Sequence, residues 1–263
     1  VVKVTDFGAT LVSVLFADKD GVMKDMVLGY DDAASYEKGT SCFGATIGRN
    51  GNRIKDARFT IDGKEWVIEA NENNNSLHSG KNGFNHLMWE MKESGDNYVT
   101  FYHYSPQEEQ GFPGNMHVTV TYTLDDEDTV HITYHAKADA DTVMNFTNHS
   151  YFNLAGHDSG VMLDQKLQLF ADAYTPDEDS HSIPTGEIAP VAGTPMDFTT
   201  MKPIGQDINA DFEQLHFTGG YDHNYVLSDK PGTMRQMAKA ECDASGIAMD
   251  AYTECCGVQL YAG

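Results

Sequence analysis

One imidazole stands among hydroxyls, amides and aromatic rings in Thr147-Asn148-His149-Ser150-Tyr151-Phe152-Asn153-Leu154-Ala155-Gly156. With an unperturbed pKa of about 6.5, histidine can give and take a proton near neutrality, so His149 suits general acid–base chemistry. Residues 144–154 read as an extended strand, in which successive side chains point to opposite faces. One face then carries Met144, Phe146, Asn148, Ser150, Phe152 and Leu154; the other carries Asn145, Thr147, His149, Tyr151 and Asn153. The second face suits a small polar ligand better than a dry core. Taken alone, the stretch fits equally well as a half-exposed structural strand.

Three other places concentrate polar side chains. Gly48-Arg49-Asn50-Gly51-Asn52-Arg53 offers two guanidiniums, whose planar donor forks match hydroxyl and carboxylate oxygens. Residues 73–80 end in Leu77-His78-Ser79-Gly80, and Gly219-Gly220-Tyr221-Asp222-His223-Asn224 sets a carboxylate on a tight turn. Each of these is also readable as an ordinary turn. Eleven histidines invite a metal hypothesis, but their spacing is poor. His131 and His135 share a strand face too far apart to chelate one ion, and His78 and His86 flank a glycine-rich loop without a cysteine pair or nearby carboxylate. Nucleotide-loop, nucleophile-elbow and zinc-protease signatures are absent.

The elements that must position these residues are strands. Residues 9–16 are β-rich, and Asp20-Gly21 turns into 22–28. Arg58 to Ile61, Asp62-Gly63 and Trp66 to Ile68 read as a hairpin whose Asp-Gly accepts the positive φ of a type I′ turn. Residues 89–92 and 98–104 repeat the device. Val118, Val120, Tyr122 and Leu124 alternate, as do Val130, Ile132, Tyr134 and Ala136 after an acidic turn. Another strand is expected at 167–170, and one short helix at 208–215. Many closely spaced strands predict an all-β sandwich or barrel. Without repeat, linker or composition break, residues 1–263 read as one domain.

A formal charge of −23 argues against nucleic-acid or anionic-membrane partners, which require a basic footprint. Four cysteines do not make a disulfide framework, so a reducing compartment is expected. Sequons at Asn145, Asn148 and Asn74 argue mildly against eukaryotic secretion, because the first two lie inside the apparent strand. The chain opens at Val1 and stops at Gly263 within what read as strands, so truncation at both ends is expected.

Several segments in order form a larger pattern: Phe43-Gly44-Ala45-Thr46-Ile47-Gly48-Arg49, Asn52-Arg53-Ile54, Asn75-Ser76-Leu77-His78-Ser79-Gly80, and Gly83-Phe84 with Trp89. Gly111-Phe112-Pro113-Gly114 follows, then Asn148 to Gly156 and Pro184-Thr185-Gly186-Glu187-Ile188. Gly220-Tyr221-Asp222-His223-Asn224 and Gly257-Val258-Gln259-Leu260-Tyr261 close the series. Over essentially its whole length the chain resembles the galactose mutarotase (aldose 1-epimerase) family.

The resemblance implies a large antiparallel β-sandwich, the galactose mutarotase-like supersandwich, with little helix. It implies an enzyme that interconverts α and β anomers of aldohexoses such as galactose and glucose, without metal or organic cofactor. An acid protonates the ring oxygen while a base takes the anomeric proton; the ring opens, rotates about C1–C2 and recloses. By motif, His149 is the acid and His78 the second catalytic-site histidine, which holds the sugar. Asn52, Arg53 and Asp222 match hydroxyl-binding positions, and Ser150, Tyr151 and Gln259 match the cleft wall. The family's base is a glutamate beyond the valine-glutamine-aromatic-tyrosine strand, hence downstream of Gly263; Glu254 precedes that strand. Residues 1–263 alone are therefore expected to bind aldoses and hardly to interconvert them. The alternative is a non-catalytic sugar-binding sandwich. The expected partner is a small aldohexose, and the expected location is the cytoplasm.

Overall fold

The computed structural model describes residues 1–228 and 230–262. Strand makes up 41% of the chain and helix 9%, so the fold is all-β, an antiparallel sandwich type as expected. Backbone contacts divide the chain into two compact units. One comprises Val1–Phe16 with Asp25–Phe152; the other comprises Ala17–Lys24 with the described residues from Asn153 onward.

The first unit is built on a four-stranded antiparallel sheet in the order Val130–Ala138, Met116–Leu124, Tyr98–Ser105, Glu90–Ser94. Alternation sends Met116, Val118, Val120 and Tyr122 inward, where they meet Ala9, Leu11, Phe84, Trp89 and Phe101. Each fully buried large apolar side chain contributes about 1.5–3 kcal/mol, so this core is the unit's main support. The buried Tyr122 hydroxyl is satisfied by donating to Ala9 O at 2.7 Å. The hairpin Arg58–Ile61/Lys64–Val67 forms on Asp62 (φ +51°) and Gly63 (φ +75°), the type I′ signs that the dipeptide predicts.

In the second unit, one sheet runs Lys202–Pro203, Lys166–Leu169, Arg235–Cys242, Ile247–Thr253, and another runs Ala189–Pro190, Ala173–Tyr174, Asp222–Val226, Gly257–Tyr261. Leu167, Leu169 and Ala238 of the first share a core with Tyr174 and Tyr225 of the second, filled out by Met196, Phe198 and Leu215.

Three local expectations are corrected. The strand expected over 144–154 is only Thr147–Asn148, paired with Thr46–Ile47. Asn153 ends the extended run: its Oδ1 accepts from Ala155 N–H at 3.1 Å, an Asx turn that competes with a ladder, and Asn153 and Leu154 are both buried. The strand expected over 22–28 is Met23–Asp25. The helix expected at 208–215 lies at Glu213–Thr218, closed by Gly219 in the left-handed region. A further helix, Ala33–Lys38, was not anticipated; Asp32 caps it by accepting from Ser35 N–H at 2.9 Å.

Candidate active site

In the first unit the short strands Arg53–Ile54 and Ser76–Leu77 pair antiparallel, with Arg53 opposite Leu77. The next rung is Asn52 opposite His78. His78 N–H donates to Asn52 O at 3.0 Å, while Asn52 N–H donates to the imidazole Nδ1 of His78 at 3.1 Å. Asn52 (φ +64°), His78 (+53°) and Ser79 (+69°) all occupy the left-handed region. Such strain costs about 1–3 kcal/mol per residue, so the surroundings must over-determine it. They do: the Ser79 hydroxyl accepts from Asn50 N–H at 2.8 Å and donates to Asn50 O at 3.2 Å, clasping the two turns together.

This wiring settles the state of His78. Burial lowers its pKa to about 3, and electrostatic interaction with His149 and Arg53 pushes the same way. The ring is neutral at ordinary pH, and because Nδ1 accepts from Asn52, its proton sits on Nε2. His78 is thus a fixed hydrogen-bond donor.

His149 follows the two-residue strand and is held from both sides. Its N–H donates to Ala45 O and its carbonyl accepts from Gly44 N–H, each at 2.9 Å. Its ring meets that of His78 at 5.1 Å between centroids, nearly perpendicular, and that of Tyr151 also at 5.1 Å. The expected grouping of His149 with Tyr151 therefore survives although the long strand does not. Tyr151 continues into Phe43 (5.3 Å) and Tyr30. Ser150 turns the other way and donates to Asn148 Oδ1 at 2.5 Å. Asn148 itself donates to Gly44 O and to the Tyr122 hydroxyl.

The two guanidiniums of the Gly48–Arg53 loop separate into different roles. Arg49 is wholly buried: Nε donates to Ser105 Oγ, Nη1 to Pro113 O, and Nη2 to the carbonyls of Ser105 and Pro106. It is a structural residue, so of the two guanidiniums that this loop offers only that of Arg53 is left for a ligand. Arg53 is oriented by Glu72, which it engages through Nε and through Nη2 (3.1 Å to Oε1), while Nη1 lies 3.4 Å from Asn52 Oδ1. Glu72 was missed from sequence. Its signal was its place in the Asn-rich turn, where Asn75 N–H returns to Glu72 O at 2.7 Å.

In the second unit, Asp222 opens the strand Asp222–Val226 and Gln259 sits in Gly257–Tyr261, opposite Asn224. Gln259 Nε2 donates to Asp222 Oδ1 at 2.8 Å, so this carboxylate and amide form a joined pair. Glu254 lies on the other side of Gly257, which is four residues from Tyr261, the partner of Asp222, or about 13 Å along the strand. Among the described residues no group of three or more histidine, cysteine or acidic side chains has metal-holding geometry.

A family model described as aldose 1-epimerase matches residues 1–263. The chain belongs to the aldose 1-epimerase family. The galactose mutarotase of Mus musculus is 40% identical over 262 residues, covering all of this chain and 74% of that protein. Among solved structures, an aldose epimerase homologue from C. elegans superposes with a TM-score of 0.85 at 30% identity, covering 95% of this chain and 74% of that one. A galactose 1-epimerase from Lactobacillus acidophilus gives 0.80 at 29% identity, over 92% and 69%. No described helix of this aldose 1-epimerase family member is long and apolar enough to cross a membrane.

The two imidazoles are held differently, and this carries an expectation for kinetics if both meet the sugar. A donor that is neutral and immobile contributes alike to bound sugar and to transition state. His78→Ala is therefore expected to raise KM about tenfold with a smaller change in kcat, read from steady-state kinetics. A purely kcat effect would contradict this division.

Proposed function

We propose that this epimerase interconverts the α and β anomers of aldohexoses such as galactose and glucose by acid–base ring opening, with His149 as the acid on the ring oxygen. The observation that carries the reading is the perpendicular pair of imidazoles, 5.1 Å apart, with one ring wired as a neutral donor. Ring opening needs a proton delivered to the ring oxygen and a hydrogen bond that keeps the sugar still while its C1–C2 bond turns. His149 delivers the proton, and His78 Nε2–H holds a sugar oxygen. Asn52 and the Glu72-oriented fork of Arg53 bind hydroxyls, beside the ring of Tyr151, while Ser150, bonded to Asn148, supports the wall from behind. Asp222, joined to Gln259, accepts from further hydroxyls. The base is the glutamate that the family carries after the valine-glutamine-aromatic-tyrosine strand.

The four cysteines are free, which supports a cytoplasmic location. Polarimetry on fresh α-galactose tests the function in a protein that carries this glutamate. Optical rotation is expected to decay far faster than in buffer, and Glu254→Gln is expected to leave kcat unchanged. Sugar binding without acceleration would favour a non-catalytic sugar-binding protein, and loss of turnover in Glu254→Gln would make Glu254 the base.

A further inference from the structure

Behind Asp222 lies a buried apparatus with no part in the chemistry above. In the ladder between Asp222–Val226 and Gly257–Tyr261, Ala262 N–H donates to Tyr221 O and Leu227 N–H to Cys256 O. Odd-numbered residues of this strand therefore bond toward Gly257–Tyr261. Even-numbered residues bond toward Ala173–Tyr174, as the Thr175 N–H to Asn224 O bond at 3.0 Å shows. That neighbouring strand pairs only with Val226 and Tyr225, and Thr175 reaches no further than Asn224. At Asp222 the ladder has run out on this side, and an N–H at the strand end needs another partner.

The partner is the next side chain. Asp222 N–H donates to His223 Nδ1 at 3.2 Å. The imidazole is completely buried, its edge 5.9 Å from the Tyr174 ring by centroids, and its Nε2 stands 3.9 Å from Asp177 Oδ2. Asp177 is held in turn by reciprocal bonds with Gln214, its N–H donating to Oε1 (2.7 Å) and its carbonyl accepting from Nε2 (3.1 Å). The Asp222 N–H, which can only donate, selects the orientation that turns Nδ1 toward it. Burial lowers the His223 pKa to about 4, so Nδ1 keeps its lone pair at neutral pH.

We infer that His223 is a positioning residue for Asp222: its Nδ1 replaces the missing strand partner and holds the Asp222 backbone while Gln259 holds the carboxylate. Asp222 is thus fixed at two points, its N–H and its Oδ1, which aims the carboxylate at ligand hydroxyls. The inference rests on the reading of Asp222 as a hydroxyl-binding residue.

The substitution pair His223→Asn and His223→Gln separates positioning from packing. An asparagine Oδ1 falls near the place of Nδ1, whereas glutamine fills more of the ring's volume but carries its acceptor one bond further out. His223→Asn is expected to keep KM for galactose within about threefold of the parent. His223→Gln is expected to raise it about tenfold, one hydrogen bond's worth, with kcat changed less than twofold. Equal behaviour of the two, or glutamine closer to the parent than asparagine, would overturn the inference.

Nitrogen-15 NMR of the histidine rings in the unsubstituted protein is independent of whether either variant folds. It should show His223 neutral and protonated on Nε2, and an Nδ1–H tautomer would also overturn the inference. Asp222→Ala is the control on the underlying reading. If it leaves KM unchanged, the sugar-binding role of Asp222 fails, whatever His223 does. If it raises KM while the His223 variants leave KM alone, only the positioning role fails.

Discussion

Replacing His149 with alanine is expected to lower kcat by about 10²–10⁴-fold, the range removed when a positioned general acid is lost. The backbone at this position is held by Ala45 and Gly44, so truncating the ring leaves the chain in place and removes the proton donor alone. KM should change far less than it does in His78→Ala. Because His78 is neutral down to about pH 3, a fall in kcat/KM between pH 7 and 4 must come from a group other than His78. In His149→Ala, added imidazole is expected to restore part of the rate. Wild-type kcat in this variant would remove His149 from the reaction.

The second large effect is on stability. Burial lowers the Arg49 pKa, and the carboxylates of Glu109 and Asp139 work in the opposite direction, keeping the guanidinium charged. Arg49→Met keeps much of the volume but withdraws every donor, leaving the carbonyls of Ser105, Pro106 and Pro113 without this partner inside the unit. Breaking such a buried ionic and hydrogen-bonded arrangement costs about 3–5 kcal/mol. Urea unfolding should show the midpoint falling accordingly with the slope unchanged. A loss under 1 kcal/mol would mean that the carbonyls find water. The same substitution at Arg53 should instead weaken sugar binding, if that side chain binds hydroxyls as proposed above.

Why one arginine was legible and the other was not follows from the same geometry. Both lie in one polar glycine-rich loop, and composition cannot say which guanidinium turns inward. That depends on the carbonyls of residues 105–113, far away in the chain. Alternating strands such as Met116–Leu124 were readable because their side-chain period is local. So was the Asp62-Gly63 hairpin, since its turn chemistry is contained in two residues. The end of the 144–154 run was not, because it is set by Asn153 bonding its own neighbour and Gln165. That His149, His78, Asn52 and Arg53 come together was legible through motif order. Glu72 and His223 were not, because their roles appear only once their hydrogen-bond partners are known.

The zipper that holds His149 also fixes what kinds of sequence change the protein can survive. Between Gly44 and Gly51 on one side and Asn145 and His149 on the other, six residues are tied across the pair: Gly44, Ala45, Thr46, Ile47, Arg49 and Gly51 each meet a residue of the second segment. A strand reverses its faces with every residue, so deleting or inserting one amino acid here would exchange the directions of Asn148 and His149. After a deletion the imidazole would take the place of Asn148 beside the Tyr122 hydroxyl, and the Ser150 hydroxyl would take its place beside His78. Exposed turns such as Asp125–Asp128 can lengthen by several residues at small cost, because closure entropy grows only slowly with loop length. Length variation among functional variants of this chain should therefore collect in such turns. Within the zipper, individual side chains can be replaced but the spacing cannot.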